Sequence, residues 1–435
     1  MIPARGLLTL VGLMVLTSFI VAVIPSLTTY WQWAAVGLLI ATVLDAILTT
    51  RQSLPSFKRS APGSLSLATW SHIYLELANT DERTSLTLRV YDHHPPEVES
   101  GGLPQTVSIA PGRFAHFGYD IRPLRRGLMR FDRCELRVLS PLRLWWRRRH
   151  VGDATEIRTY PNYSAISKLL AYEVDNRIQA AGLRLSRRRG DGIEFHQLRD
   201  YRDGDSIRSI DWKATARMSR LISREYQDER DQQVIFLLDA GRRMLAQDNE
   251  LSHFDHALNG MLLMSYVALR QGDAVGVMTV SEQRSWLPPN KGVGTINSLL
   301  NHVYDVQPRP LDVDYIGAAT DVAQRQRRRA LVVLLTNARE EDSHDLRVAT
   351  GLLSRRHLVM VASLREQVLD DAVEHHVDDF DDALRNAATN RYLGLRREAQ
   401  DLLRAQGVYV EDCLSQDLPS AITNRYLAIK RAGSL

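Results

Sequence analysis

The chain has 435 residues, a formal net charge of +4 and ordinary apolar and charged fractions, which leaves room for two or three domains with cores of their own. So small an excess of positive charge gives no support for nucleic-acid binding, which needs a concentrated basic surface. The two cysteines, Cys134 and Cys413, stand far apart and exclude both a disulfide framework and a CxxC metal pair.

Leu7 to Ile24 is an apolar run ended by Pro25, and Trp33 to Leu48 is a second whose only charge is Asp45. About 20 residues cross a hydrocarbon core, and Tyr30, Trp31 and Trp33 match an interfacial aromatic belt. Residues 1–50 therefore read as a transmembrane helical hairpin, because a cleaved signal would leave the second run unexplained. Arg5 precedes the first span, and Arg51, Lys58 and Arg59 follow the second, while the loop Ser26 to Gln32 is uncharged. The positive-inside rule then places the chain in the cytoplasmic membrane with two spans and its soluble bulk in the cytoplasm. Asp45 is expected to be hydrated at the interface.

Residues 60–162 alternate with period two. Ile73, Leu75 and Leu77, then Leu86, Leu88 and Val90, then Ala115, Phe117, Tyr119 and Ile121, then Leu136 and Val138 carry the pattern. Turn formers at Asn79-Thr80-Asp81, Ser100-Gly101-Gly102, Pro111-Gly112 and Arg126-Gly127 separate them, which predicts an antiparallel β-sandwich. His93-His94 beside Pro95-Pro96 reads as a pair of solvated loop histidines whose side chains point apart. Trp145-Trp146 followed by Arg147 to Arg149 fits either contact with anionic lipid or an edge strand guarded by charge.

Residues 163–230 form a connector, with a helix expected over Ile166 to Ala181 and a solvated basic turn over Arg184 to Arg189. Gly190-Asp191-Gly192 and Asp203-Gly204-Asp205 are turn formers. Asp205 is expected to cap the turn that follows and to pair with Arg208. Ile210, Trp212 and Ala216 are expected to face a core, with Asp211 and Arg217 reaching other elements. Two readings follow: a charged groove that binds a ligand, or an interdomain clamp of ion pairs with Trp212 filling the seam. The absence of a nucleophile and base favours the clamp.

Residues 231–435 alternate strands and helices. Val234 to Leu238 reads as a buried strand ended by Asp239, and Ser252 as the cap of a helix running to Arg270. Further strands are expected at Ala274 to Val280, Leu331 to Leu335, Leu358 to Ala362 and Val408 to Val410. Further helices are expected near Thr295 to Tyr304, Asp314 to Gln324 and Asp382 to Gln406. This is the pattern of a doubly wound α/β sheet. A carboxylate closing its first central strand stands where such sheets place a ligand. The acidic run Val377 to Asp382 reads as a solvated helix start. No phosphate loop, HExxH, GxSxG or GxGxxG motif occurs.

Tyr201, Gly204, Asp205, Arg208, Asp211, Trp212, Ala216 and Arg217 lie within GDGIEFHQLRDYRDGDSIRSIDWKATAR, a stretch that resembles the signature of the bacterial domain of unknown function 58 family. The end of the Val234 strand resembles the von Willebrand factor type A domain, which holds a divalent cation through Asp-x-Ser-x-Ser, a distant Thr and a second Asp. Asp239 matches the first Asp, but Gly241 and Arg243 stand where the serines belong, and Thr336-Asn337 replaces Thr-Asp. Nothing singles out Thr320 as the distant ligand. Missing hydroxyls and the positive charge of Arg242 and Arg243 are adverse to Mg²⁺. No cofactor is therefore expected, and Asp239 is expected to pair with an Arg or cap a helix.

The family resemblance implies an association with MoxR-type AAA+ ATPases. It implies a non-enzymatic, membrane-anchored module, with Asp239 and the signature charges shaping a docking surface, that serves assembly or maturation of protein complexes or an envelope stress response. The competing readings are a cell-envelope hydrolase, which needs an exported soluble part and a convergent pocket, and a cation-dependent adhesion module.

Overall fold

The computed structural model describes residues 1–162, 194–202, 205, 207–227 and 232–434, with backbone alone for 194–197, 208 and 225–227. The expected helix over Ile166 to Ala181, the basic run Arg184 to Arg189, the turn at Gly190 to Gly192 and Gly204 lie outside the described residues. The chain divides into two compact units, Met1–Tyr160 and Pro161–Leu435.

The first unit opens with α1 (Arg5–Val23) and α2 (Thr28–Arg51), both long and apolar enough to cross a membrane. Their apolar side chains are mostly exposed, as expected of helices whose solvent is lipid. Pro25 starts the short turn between them, where its missing N–H costs nothing. Trp31 Nε1 donates to Met14 O (3.3 Å) and Thr17 Oγ1 (3.2 Å), which ties α2 back to α1.

The sandwich is built from β1 (Ile2–Pro3), β2 (Ser56–Ser60), β3 (Ser64–Ser66), β4 (Ser71–Ala78), β5 (Leu86–Tyr91), β6 (Val98–Gly101), β7 (Gln105–Ile109), β8 (Phe114–Pro123), β9 (Gly127–Phe131), β10 (Cys134–Leu139), β11 (Trp145–Val151) and β12 (Thr155–Tyr160). One sheet runs β1-β11-β10-β5-β7, the second β2-β4-β8-β6, and a small third β3-β12-β9. The alternation is as read: Ile73, Leu75, Leu77, Leu86, Leu88, Val90, Tyr119, Ile121, Leu136 and Val138 fill the core, with Ala115 and Phe117 half-buried at its margin. Burying each large aliphatic side chain contributes roughly 1.5–3 kcal/mol. A buried ion pair between Arg59 on β2 and Asp92 after β5 joins the two sheets, and Tyr119 Oη donates to the same carboxylate (2.6 Å). The strand SFKRS of β2 has no apolar alternation to announce it.

Asp45 is not hydrated at an interface. It is fully buried and accepts from Ser140 Oγ (2.5 Å), Leu142 N (2.9 Å) and Leu144 N (3.3 Å) in the turn between β10 and β11. Three donors replace the water it loses. Beside it, Trp145 Nε1 donates to Thr42 O (3.0 Å), and Arg147 Nη1 donates to Thr49 O (2.7 Å) and Gln52 O (3.1 Å). Arg147 thus satisfies carbonyls at the end of α2, where a cation also suits the helix dipole.

In the second unit, β13 (Glu194–Asp200) and β14 (Ile222–Gln227) form an antiparallel hairpin, with α3 (Trp212–Met218) between them in sequence. The main sheet comprises β15 (Gln233–Asp239), β16 (Ala274–Val280), β17 (Ser285–Asn290), β18 (Leu331–Thr336), β19 (Leu358–Arg365) and β20 (Tyr409–Leu414). Its order is β17-β16-β15-β18-β19-β20, with all neighbours parallel except the edge strand β17. The helices are α4 (His253–Arg270), α5 (Thr295–Val303), α6 (Tyr315–Arg325), α7 (Ser343–Ser354), α8 (Gln367–Glu374), α9 (Phe380–Ala405) and α10 (Leu418–Arg431).

Ser252 caps α4 through a reciprocal capping box with Asp255. Asp379 caps α9, taking Asp382 N (2.8 Å), which explains the acidic run there. Gly260 lets α4 approach α10 closely, since a Cβ would meet Ile422 and Leu418 at 3.2 Å. The strand order reverses between β15 and β18, and the first strand's carboxyl end, Asp239, therefore lies at the topological switch point.

Candidate functional site

Asp239 ends β15 with only 1% of its surface exposed. Its Oδ1 accepts from Gly241 N (2.8 Å), and its Oδ2 accepts from Tyr315 Oη (2.8 Å) and Thr336 Oγ1 (2.6 Å). Tyr315 begins α6 and Thr336 ends β18, so three elements converge on one carboxylate. Burial raises the Asp239 pKa more than these hydrogen bonds and nearby Arg243 lower it. Burial beside that carboxylate likewise pushes the Tyr315 phenol well up.

Asp239 therefore neither pairs directly with an Arg nor caps a helix, contrary to the expectation. Arg243 turns instead to Glu341 (2.7 Å) and Asp342 (2.9 Å), and Arg242 to Asp312 (2.8 Å). Burial raises the Asp342 pKa despite Arg243. These side chains surround a surface hollow of about 250 Å³.

The donor set does not fit a resident cation. Both oxygens of Asp239 already receive N–H or O–H groups. A side chain at Gly241 has no room, because a Cβ there would stand 2.4 Å from Val313 Cγ2 and 2.8 Å from Leu311 O. The guanidinium of Arg243 already neutralises the neighbouring carboxylates. Thr320 is turned away, donating to Ile316 O (2.8 Å) within α6.

Asn337 belongs to a second group on the same rim. Its Nδ2 donates to Glu366 Oε1 (2.8 Å), and its Oδ1 accepts from Arg396 Nη1 (3.1 Å). An amide suits this place because it must donate on one side and accept on the other. Arg396 is buried and also reaches Asp412 (2.8 Å) and Ser363 Oγ (2.7 Å). Buried His253 contacts Asp248 (3.0 Å), and Ser415 Oγ donates to that same carboxylate (2.5 Å). Serine, histidine and aspartate thus meet, but both partners turn to the aspartate and neither to the other. A hydroxyl so placed has no base to activate it.

The signature residues lie in the β13–β14 hairpin. Asp205 is gripped by Arg199 (2.7 and 2.8 Å) and by Arg202 N (3.0 Å), an amide that precedes it. The Arg199 hydrogen bonds come first among the causes that bring its pKa down to about 2. Tyr201 Oη donates to Asp205 O (3.1 Å). Asp211 acts locally, capping α3 through Ala214 N (3.0 Å) and pairing with Arg224 (3.2 Å). Ile210 is buried, but Ala216 and Arg217 are exposed, and Trp212, at 63% exposed, does not face a core as expected. Arg208's side chain lies outside the described residues.

In the first unit the adjacent histidines do diverge. His93 faces Glu135 (3.3 Å) and His94 faces Ser100 Oγ (2.8 Å). His93, Glu135 and His150 bring their ligand atoms within 4.8 Å of one another, a convergence across β10 and β11 that the sequence spacing hides. Arg137 and Arg148, each at 2.8 Å, already occupy the Glu135 carboxylate.

Comparison with known proteins gives a relative, similar structures and a family match. Uncharacterized protein YeaD of Bacillus subtilis (strain 168) is 22% identical over 230 residues, covering 52% of this chain and 54% of that one, so the chain spans about half the length of this curated relative. An aerotolerance-related membrane protein from Bacteroides fragilis is similar over 46% of this chain and 99% of its own, at 15% identity and a TM-score of 0.29. The PapD-like domain 7 of human CEP192 is similar over 24% of this chain and 84% of its own, at 12% identity and a TM-score of 0.19. Residues 197–407, which hold Tyr201 to Arg217 and Asp239, match the model described as Protein of unknown function DUF58, and this part of the chain belongs to that family.

Proposed function

We propose that this chain is a non-enzymatic, membrane-anchored interaction module that works with a MoxR-type AAA+ ATPase in the assembly or maturation of protein complexes or in an envelope stress response. The observation that carries the reading is the rim of the main sheet. At the switch point, where such a sheet offers a ligand site, Asp239 is sealed by three donors, and Arg242 and Arg243 with their acidic partners line the hollow beside it. That is a charged surface for a protein partner. The strand order, with an antiparallel edge at β17, supports a von Willebrand factor type A-like fold whose cation seat has been closed. The Ser415–Asp248–His253 connectivity speaks against a hydrolase, and the closed Asp239 against a cation-dependent adhesin. Arg5 and Arg51 flanking the spans support a cytoplasmic location for both soluble parts.

The test is affinity purification of the full chain from membranes. A MoxR-type ATPase is expected to co-purify, and Arg242→Glu, at a half-exposed side chain, is expected to reduce its recovery at least tenfold without unfolding the chain. No ATPase in the eluate, together with a reporter fusion placing the soluble part outside the cytoplasm, would overturn the reading.

A further inference from the structure

The turn between β10 and β11 is joined to the helices at one level. Ala4 N donates to Leu144 O (2.8 Å) just before α1 begins. Asp45 of α2 takes the amides of Leu142 and Leu144 and the hydroxyl of Ser140. Trp145 reaches Thr42 O, a further turn into α2.

Helix lengths give that level a meaning. The 19 residues of α1 span about 28 Å at 1.5 Å per residue, close to the roughly 30 Å of a bilayer's hydrocarbon core. The 24 residues of α2 span about 36 Å. The surplus is the last four or five residues, Ile47 to Arg51, beginning just past Asp45, and it lies beside β11, where Arg147 holds carbonyls at the helix end. The start of α1, Asp45 and the turn Ser140 to Leu144 therefore share the depth at which hydrocarbon gives way to headgroups.

The side chains of the turn suit that depth. Pro141, Leu142 and Arg143 are exposed, Leu142 at 52%, and Arg5 beside them is exposed as well. An apolar tip flanked by arginines is what an interfacial anchor presents to acyl chains and lipid phosphates.

We propose that Pro141 to Arg143 is an interfacial anchor seated in the headgroup layer of a phospholipid leaflet. Leu142 enters the acyl boundary, Arg143 and Arg5 meet lipid phosphate, and Asp45 fixes the tip at that depth. The sandwich then stands at a set height on the membrane and does not swing on a tether. β11 climbs away from the bilayer alongside α2, which puts its end at Val151, with Asp153 in the turn just past it, about 20 Å further along than Trp145 at roughly 3.4 Å per strand residue.

This rests on the membrane-anchored reading, and the test separates the two. The full chain, with Cys134→Ser and Cys413→Ser, is placed in nanodiscs of phosphatidylcholine and phosphatidylglycerol, and a polarity-sensitive fluorophore is attached at Leu142→Cys, Asp153→Cys or lipid-facing Leu16→Cys. The expected result is blue-shifted emission at 16 and 142, quenching at 142 by lipids brominated near the headgroup, and water-like emission at 153. Asp45→Asn should move the 142 probe toward water while leaving the 16 probe unchanged. Water-like emission at 142 with hydrocarbon-like emission at 16 would overturn the anchor and leave the spans standing. Water-like emission at both, with extraction of the chain from membranes by alkaline carbonate, would remove the membrane reading and the anchor with it.

Discussion

Asp45 and Asp239 are both buried carboxylates, and each receives three donors. The donors differ in kind. Asp45 takes one hydroxyl and two amides from a single turn, so it works as a clasp between α2 and that turn. Asp239 takes one amide and two hydroxyls from three elements, so it seals the switch point of the sheet. In both cases each carboxylate oxygen already holds an internal donor. A buried acid at the edge of a span or at the end of a strand marks a possible site only while its oxygens lack internal donors.

The largest expected effect tests the seal. Asp239→Ala leaves Gly241 N–H without its acceptor, and it leaves the hydroxyls of Tyr315 and Thr336, 2.9 Å apart, only each other. Hydrogen bonds to charged groups contribute about 1.5–3 kcal/mol each, against the desolvation that the substitution relieves, so a net loss of roughly 3–5 kcal/mol is expected. Urea denaturation of the full chain in detergent measures it. A loss below about 1 kcal/mol would mean that the hydroxyls have other acceptors and that the seal is weak. Asp45→Ala should cost less, roughly 1–3 kcal/mol, because the turn it clasps keeps internal bonds from Leu144 N and Trp145 N to Ser140 Oγ (2.9 Å each). Thermal unfolding in nanodiscs would register that difference.

A second substitution asks whether the seal can be reopened. Gly241→Ser restores one hydroxyl of the cation motif, yet its Cβ would press on Val313 and Leu311. Overpacking of this kind costs about 1–3 kcal/mol, and no gain in Mg²⁺ affinity is expected by calorimetry. Tight, stoichiometric Mg²⁺ binding by this variant would show the site to be one hydroxyl short and not closed.

Much of this was legible in the chain. The two N-terminal helices showed as apolar runs, the sandwich as period-two alternation from Ile73 to Val138, and β15 as a continuous apolar run closed by an acid. What was not legible was partnership. Asp45 and Ser140 are 95 residues apart, and Asp239 and Thr336 are 97 apart, so nothing local says that either acid is satisfied. β17 was hidden because Pro288 and Pro289 argue against a strand, and only its edge position tolerates them. Trp212 misled through its residue type. It opens a helix of seven residues that leaves none of its side chains buried, so an aromatic that promised a core stands in solvent.

Acid titration separates Asp205 from Asp239 by sign. Asp205 has a folded pKa of about 2 against a reference of 3.8, mainly through Arg199. Its contribution to stability is complete above the unfolded value and is lost as pH falls through about 2. Asp239 has a raised pKa, mainly through burial, so the folded chain keeps that proton to higher pH than the unfolded chain. Its contribution therefore grows as pH falls toward 3.8. Carboxyl carbon NMR should find Asp205 still ionised at pH 3, and Arg199→Gln should return its midpoint toward 3.8. An Asp205 midpoint near 4 in the parent chain would mean that the Arg199 grip is absent in solution.

The smallest expected effect on stability is at Trp212. An exposed side chain away from any network usually changes stability by no more than about 0.5 kcal/mol when replaced, and Trp212→Ala should leave the denaturation midpoint where it was. An exposed indole beside Lys213 and Arg217 is also the kind of group that anchors a protein interface. If the hairpin contributes to partner docking, Trp212→Ala should lower ATPase recovery at least tenfold at unchanged stability. Loss of both together would assign the residue to the fold. Loss of neither would move the docking surface away from the hairpin and onto the Arg242–Arg243 rim, where a carboxylate closed from within leaves charge facing out.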